Sequence, residues 1–158
     1  MKSVLSFVLL LCTGFLSRAQ IAHYSAEDIV RRCSSKDTVY IVNFWATWCA
    51  PCVGELPEFN RIKDKYADKA VKVLLVSLDF PADNSYKLEG FLKRKNVTPE
   101  VVWLSDTNPN VFIPKIDNSW GGSIPATVIV QSGKQFKKFI EGTVTEREVS
   151  AIVKKLLD

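Results

Sequence analysis

Two cysteines spaced by two residues, Cys49 and Cys52 in the run Trp-Cys-Ala-Pro-Cys at residues 48–52, stand between an apolar stretch and a helical segment. The apolar stretch, residues 38–46, reads as a buried strand, and residues 50–66 read as a helix. This order constrains both fold and chemistry. Cys49 is expected at the helix N-cap, Ala50 and Pro51 in the first turn, and Cys52 at the third helical position. Pro51 fits there because its missing N–H would have had no intrahelical partner.

An N-cap side chain can accept from the unpaired N–H of the third helical residue, and the helix dipole favours negative charge at that end. A sulfur anion at Cys49 would find both a donor and a field. The thiolate is the nucleophile of disulfide exchange, and helix N-termini lower cysteine pKa values. Cys49 is therefore expected to attack, and Cys52, one turn deeper, to resolve the mixed disulfide. Other uses of such a pair fit less well. A zinc site needs two further ligands, and beyond residue 19 only Cys33 and His23 are on offer, neither in a paired spacing. Covalent haem attachment would require a histidine where Val53 stands. A purely structural disulfide stays open as a reading.

The run Asn-Phe-Trp-Ala-Thr-Trp-Cys-Ala-Pro-Cys at residues 43–52, continuing to Glu55, Leu56 and Pro57, resembles the active-site segment of the thioredoxin-like superfamily, most closely the exported TlpA/ResA-type thiol-disulfide oxidoreductases. Ser-Ile-Pro-Ala-Thr at residues 123–127 resembles that family's cis-proline loop. The resemblance extends over roughly residues 25–158. It implies an α/β thioredoxin-like fold, a central mixed β-sheet flanked by helices, and catalysis without a cofactor or metal. It also implies a cis bond before Pro125, with the Ile124 backbone offered to an extended partner segment. Trp48, Ala50, Pro51, Ile124 and, from the long loop before Pro125, Trp120 are then candidates for substrate contact. Two departures from thioredoxin matter. Asn43 replaces a buried aspartate and cannot titrate. Glu55, three residues after Cys52 and on the same helical face, becomes the expected proton acceptor or pKa modulator for Cys52.

The resemblance further implies a reductase of protein disulfides, with protein thiols as substrates, cytochrome c maturation or general envelope redox homeostasis as tasks, and a membrane electron donor. Two rival readings differ in class. One is a thioredoxin-fold binding module whose Cys49–Cys52 disulfide is structural. The other is a peroxiredoxin-like peroxidase, which would need a threonine where Ala46 stands, three residues before Cys49.

Residues 1–19 have the layout of a secretory signal peptide: Lys2, an apolar stretch at residues 4–16, and Ser17, Arg18 and Ala19 as a small-x-small cleavage site. The expected location is therefore exported and periplasmic, or anchored to the outer face of the membrane if the segment is retained. Residues 20–158 are expected to form one thioredoxin-like domain, acting as a monomer. The leader holds two basic residues and no acid, so removing it takes the net charge of +4 to +2, too little to suggest nucleic acid. Cys33 is the odd thiol and is expected to be a buried small hydrophobe.

The remaining elements are expected as a helix at 25–33 with Ser25 and Asp28 forming a capping-box-like contact, a central strand at 71–80, a helix at 86–96 and a strand at 101–105. An irregular segment spans 106–122. A hairpin of strands 127–131 and 135–141 turns at Ser132, Gly133 and Lys134, and a helix at 146–157 closes the chain. Pro57 is expected to kink the helix at 50–66.

Overall fold

The computed structural model describes residues 21–80 and 85–158, with side chains from 87 onward in the second part. The leader expected at residues 1–19 lies outside the described residues. Within them the chain runs β1 (Ala22–Tyr24), α1 (Ala26–Arg32), β2 (Val39–Trp45), α2 (Ala50–Lys65), β3 (Val71–Ser77), α3 (Ser85–Arg94), β4 (Glu100–Leu104), α4 (Pro109–Ile116), β5 (Ala126–Gln131), a 3-10 turn (Ser132–Lys134), β6 (Phe136–Glu141) and α5 (Glu146–Leu157).

The strands form one mixed sheet in the order β1-β4-β3-β2-β5-β6. β2, β3, β4 and β1 are parallel, and β5 and β6 join antiparallel on the far side of β2. β2 and β3 are near-continuous apolar runs because both of their faces are covered. Along β2 the period of two sends Val39, Ile41 and Trp45 to one core with Leu56, Phe59 and Ile62 of α2 and Val149 and Val153 of α5. Val42 and Phe44 go to the opposite core with Ile29 of α1 and Phe112 and Ile116 of α4. Asn43 falls in the first row, facing α2.

Local chemistry sets the element ends. Ser25 and Asp28 form the expected capping box: the Asp28 N–H donates to Ser25 Oγ at 3.1 Å, and the Ser25 N–H donates to Asp28 Oδ2 at 2.9 Å. A second box, Thr145 with Glu148, starts α5. The hairpin turns where expected, with Gln135 in the left-handed region at φ 51°. Gly133 is required there, since a Cβ would collide with the Lys36 carbonyl.

Two expectations need correction, and one strand was not expected at all. The segment 106–122 is not wholly irregular: Asn108 caps α4 by accepting from the Asn110 N–H at 3.0 Å, and Pro109 occupies the first turn. Asn-Pro reads locally as a turn signal, and here it is a helix start. The strand expected to reach residue 80 ends at Ser77, where Asp79 folds back and its N–H donates to Ser77 Oγ at 3.1 Å. The short edge strand β1 was not foreseen, because three residues carry too little periodicity to stand out.

Candidate active site

β2 delivers Trp45 to the top of the sheet, and a short turn through Ala46, Thr47 and Trp48 leads to Cys49 at the N-cap of α2, with φ −89° and ψ 99°. The Cys52 N–H donates to Cys49 Sγ at 3.3 Å, the donor that the position demands. Cys49 and Cys52 are joined in a disulfide with Cα atoms 5.3 Å apart. Their exposure is unequal: Cys49 is 7% exposed and Cys52 0%. A partner can therefore approach only the first sulfur. Ala50 and Pro51 are exposed around it, and Trp48 is 66% exposed.

Across from the disulfide, the Ile124–Pro125 bond is cis and the Ile124 carbonyl oxygen lies 3.7 Å from Cys49 Sγ. The loop before it is anchored from two sides. The Glu141 carboxylate accepts from the Gly121 N–H at 3.1 Å and the Ser123 N–H at 3.0 Å, and these backbone donors hold its pKa below the ordinary carboxylate range. Trp120 Nε1 donates to the Ser123 carbonyl at 2.8 Å. Trp120 was a candidate for substrate contact, but it is 4% exposed and packs against Phe44, Phe112 and Phe139. It supports the loop from beneath, because an indole with so much apolar surface gains more from burial than from display.

One turn along α2 from Cys52 lies a buried polar group of a kind cores seldom hold. Glu55 is 4% exposed. Its Oε1 accepts from Asn43 Nδ2 at 2.9 Å and its Oε2 accepts from the Val144 N–H at 2.9 Å. Burial raises its pKa to about 7, with the nearby Glu58 charge adding to the rise and the two hydrogen bonds opposing it. Asn43 also donates to Thr127 Oγ1 at 3.1 Å. Its own Oδ1 is buried without a partner among the described residues.

Sequence reasoning missed Asp79. Its carboxylate accepts from the Thr47 N–H at 3.1 Å, from Thr47 Oγ1 at 2.6 Å and from Ser77 Oγ at 2.7 Å, so it ties the turn before Cys49 to the end of β3. The only local hint was an acid just past a buried strand. Glu141 was missed for the same reason: its partners are 18 and 20 residues away. Cys33 is buried and free, its pKa pushed up to about 12 by burial. Among the described residues no group of three or more His, Cys, Asp or Glu side chains could hold a metal ion, and no helix is long and apolar enough to cross a membrane.

A mixed sheet with helices on both faces, a Cys-x-x-Cys pair at a helix N-cap and a cis-proline loop beside it define a thioredoxin-like protein. The chain belongs to the AhpC/TSA family, whose family model matches residues 16–138. It is similar to the thiol-disulfide oxidoreductase ResA of Geobacillus thermodenitrificans, 32% identical over 109 residues, covering 68% of this chain and 57% of the relative. ResA of Oceanobacillus iheyensis is 29% identical over 127 residues, covering 80% of this chain and 61% of that protein. The chain thus spans less than two thirds of these relatives. Among solved structures, a thioredoxin-related protein from Neisseria meningitidis serogroup B superimposes with a TM-score of 0.65 at 30% identity, covering 77% of this chain and 87% of the other.

Proposed function

We propose that this protein is an extracytoplasmic thiol-disulfide oxidoreductase that reduces disulfides of protein partners. The observation that carries this reading is the asymmetric dithiol: one cysteine at a helix N-cap with a small exposed area, its mate fully sealed one turn deeper. In the reduced form the Cys49 thiolate attacks a partner disulfide, forming a mixed disulfide and expelling one partner thiolate. Cys52 then loses its proton and its thiolate attacks Cys49 Sγ. The Cys49–Cys52 bond closes as the mixed-disulfide bond breaks, its electron pair leaving on the second partner sulfur as a thiolate, so that two electrons have passed from the dithiol to the partner. Glu55 takes the Cys52 proton in this scheme, because a carboxyl titrating near neutrality can both accept and release it at ambient pH. Ile124 offers its backbone to the partner in strand-like pairing, with Trp48, Ala50 and Pro51 as the surrounding contact surface.

Reduction of the Cys49–Cys52 disulfide by a membrane electron donor closes the cycle, and the relatives named thiol-disulfide oxidoreductases support the exchange chemistry itself. A leader of the secretory type supports export to the periplasm, or to the outer membrane face if the leader is kept. Selected exported proteins, apocytochromes c among them, are the substrates this implies, with the protein acting as a monomer.

Insulin reduction with a chemical reductant as electron source tests the activity. The native protein should accelerate insulin precipitation, Cys49→Ser should abolish the acceleration, and Cys52→Ser should accumulate mixed disulfides through residue 49. A closed pair that neither reduces insulin nor traps a partner would instead make the disulfide structural. Rapid peroxide turnover would favour the peroxidase reading.

A further inference from the structure

Beside the exposed Trp48 the surface opens into a cleft of about 470 Å³ lined by Thr47, Trp48, Asp79, Trp103 and four residues of α3, namely Lys87, Leu88, Phe91 and Arg94. Its apolar wall is deep: Leu88 is 3% and Trp103 1% exposed, and Phe91 packs against Trp45. Lys87, Phe91 and Arg94 follow the i, i+4, i+7 spacing that puts all three on one stripe of the helix, with the two exposed cations roughly 10 Å apart along it.

Among the described lining residues the charges do not cancel. Asp79 is its sole acid among the lining residues, and that carboxylate is consumed by Thr47 and Ser77. Lys87 and Arg94 form no ion pair among the described residues, unlike Lys65, Lys115 and Lys137, each of which is paired with an acid. Gly90 gives the Arg94 side chain room to lie back along α3: a Cβ there would sit 3.3 Å from the Arg94 guanidinium. Two cations without an ion-pair partner among the described residues stand over an apolar floor whose Trp48 adjoins the attacking cysteine, and they are complementary to carboxylates carried next to an apolar side chain.

We infer that the Trp48–α3 cleft is a docking surface for acidic partner segments, selecting disulfides flanked by Asp or Glu together with an apolar residue. This rests on the exchange activity proposed above and names its substrate class. The apolar residue packs on Trp48 and Phe91, and the carboxylates meet Lys87 and Arg94 while the partner sulfur reaches Cys49. Attraction of this kind acts mainly on the association rate and weakens with salt.

The test uses three peptides with one central disulfide and one neighbouring Leu, differing only in whether the flanks are Glu, Gln or Lys. The rate of reduction by the reduced protein should be about tenfold higher for the Glu peptide than for the Lys peptide at low ionic strength, with Gln between. The ratio should shrink toward unity in 0.5 M salt. Lys87→Glu combined with Arg94→Glu, both surface substitutions, should invert the order of the Glu and Lys peptides. In a second measurement, the oxidised protein should show a Trp fluorescence change on titration with a cysteine-free Glu peptide, and Arg94→Gln should weaken that binding. Equal rates for all three peptides, or an order that the charge reversal leaves intact, overturns the docking surface while leaving the exchange reading standing. Failure to reduce any of the three overturns the exchange reading itself.

Discussion

Glu55 shows how one side chain couples chemistry to stability. In the unfolded chain its carboxyl titrates near the usual 4.5, and in the folded protein near 7. The folded state therefore binds the extra proton between these values. Its contribution to stability is fully present below about pH 4.5 and is lost as pH rises through about 7. By linkage the loss is about 3 kcal/mol over that window. Glu55→Gln should flatten this part of the pH–stability curve measured by urea unfolding of the oxidised protein. The same variant should also change the pH profile of the resolving step, and an unaltered profile would remove Glu55 from the mechanism. Cys33 makes the opposite case. Buried, with a thiol pushed up to about 12, it should resist alkylation at pH 8 in the folded protein and label at an ordinary rate once unfolded. Labelling as fast as that of a free thiol would show that its cover opens.

Among the elements, the turn between β2 and α2 matters most, because it aims Cys49. Asp79 holds that turn through the Thr47 backbone and hydroxyl, and Trp103 Nε1 donates to the Asp79 carbonyl. Asp79→Ala removes the acceptor and leaves buried donors unpaired, for which the expected loss is about 1–3 kcal/mol. The urea midpoint should fall accordingly, and insulin reduction should slow even where the variant remains folded. A shift in midpoint without a change in rate would mean that the turn keeps its geometry without Asp79. The loop carrying Ile124 is fixed comparably by Glu141 and Trp120. Neither the Asp79–Thr47 tether nor the Glu141 tether could be read locally, since a hydrogen bond between residues 18 or more positions apart leaves no pattern in the intervening sequence.

In the whole molecule, two cores lie on opposite faces of one six-stranded sheet. β2 feeds both, with Trp45 on one side and Phe44 on the other, so neither core can dissolve without exposing the strand between them. Unfolding should therefore be a single transition. A variant reporting only from Trp120 on the α4 face should give the same denaturant midpoint as one reporting only from Trp103 on the α3 face. Separate midpoints would mean that the faces melt independently.

Much of this molecule was legible in the chain. The apolar run before Cys49 and the capping chemistry after it are local, so strand, N-cap dithiol and helix followed from residue types within one or two turns of each other. The Ser25–Asp28 box and the turn at Gly133 were readable for the same reason. α4 was missed because Asn108 and Pro109 favour a turn and a helix start equally well, and only packing of Phe112 and Ile116 against the sheet decides between them. Residue spacing determined that Cys49 and Cys52 could close a ring and that Glu55 would share their helical face. The tertiary structure alone decided that Glu55 is buried against Asn43 and Val144, that Trp120 turns inward, and that Lys87 and Arg94 flank Trp48. Each of these depends on which distant segments exclude water from a side chain, and desolvation is a property of the assembled sheet and helices.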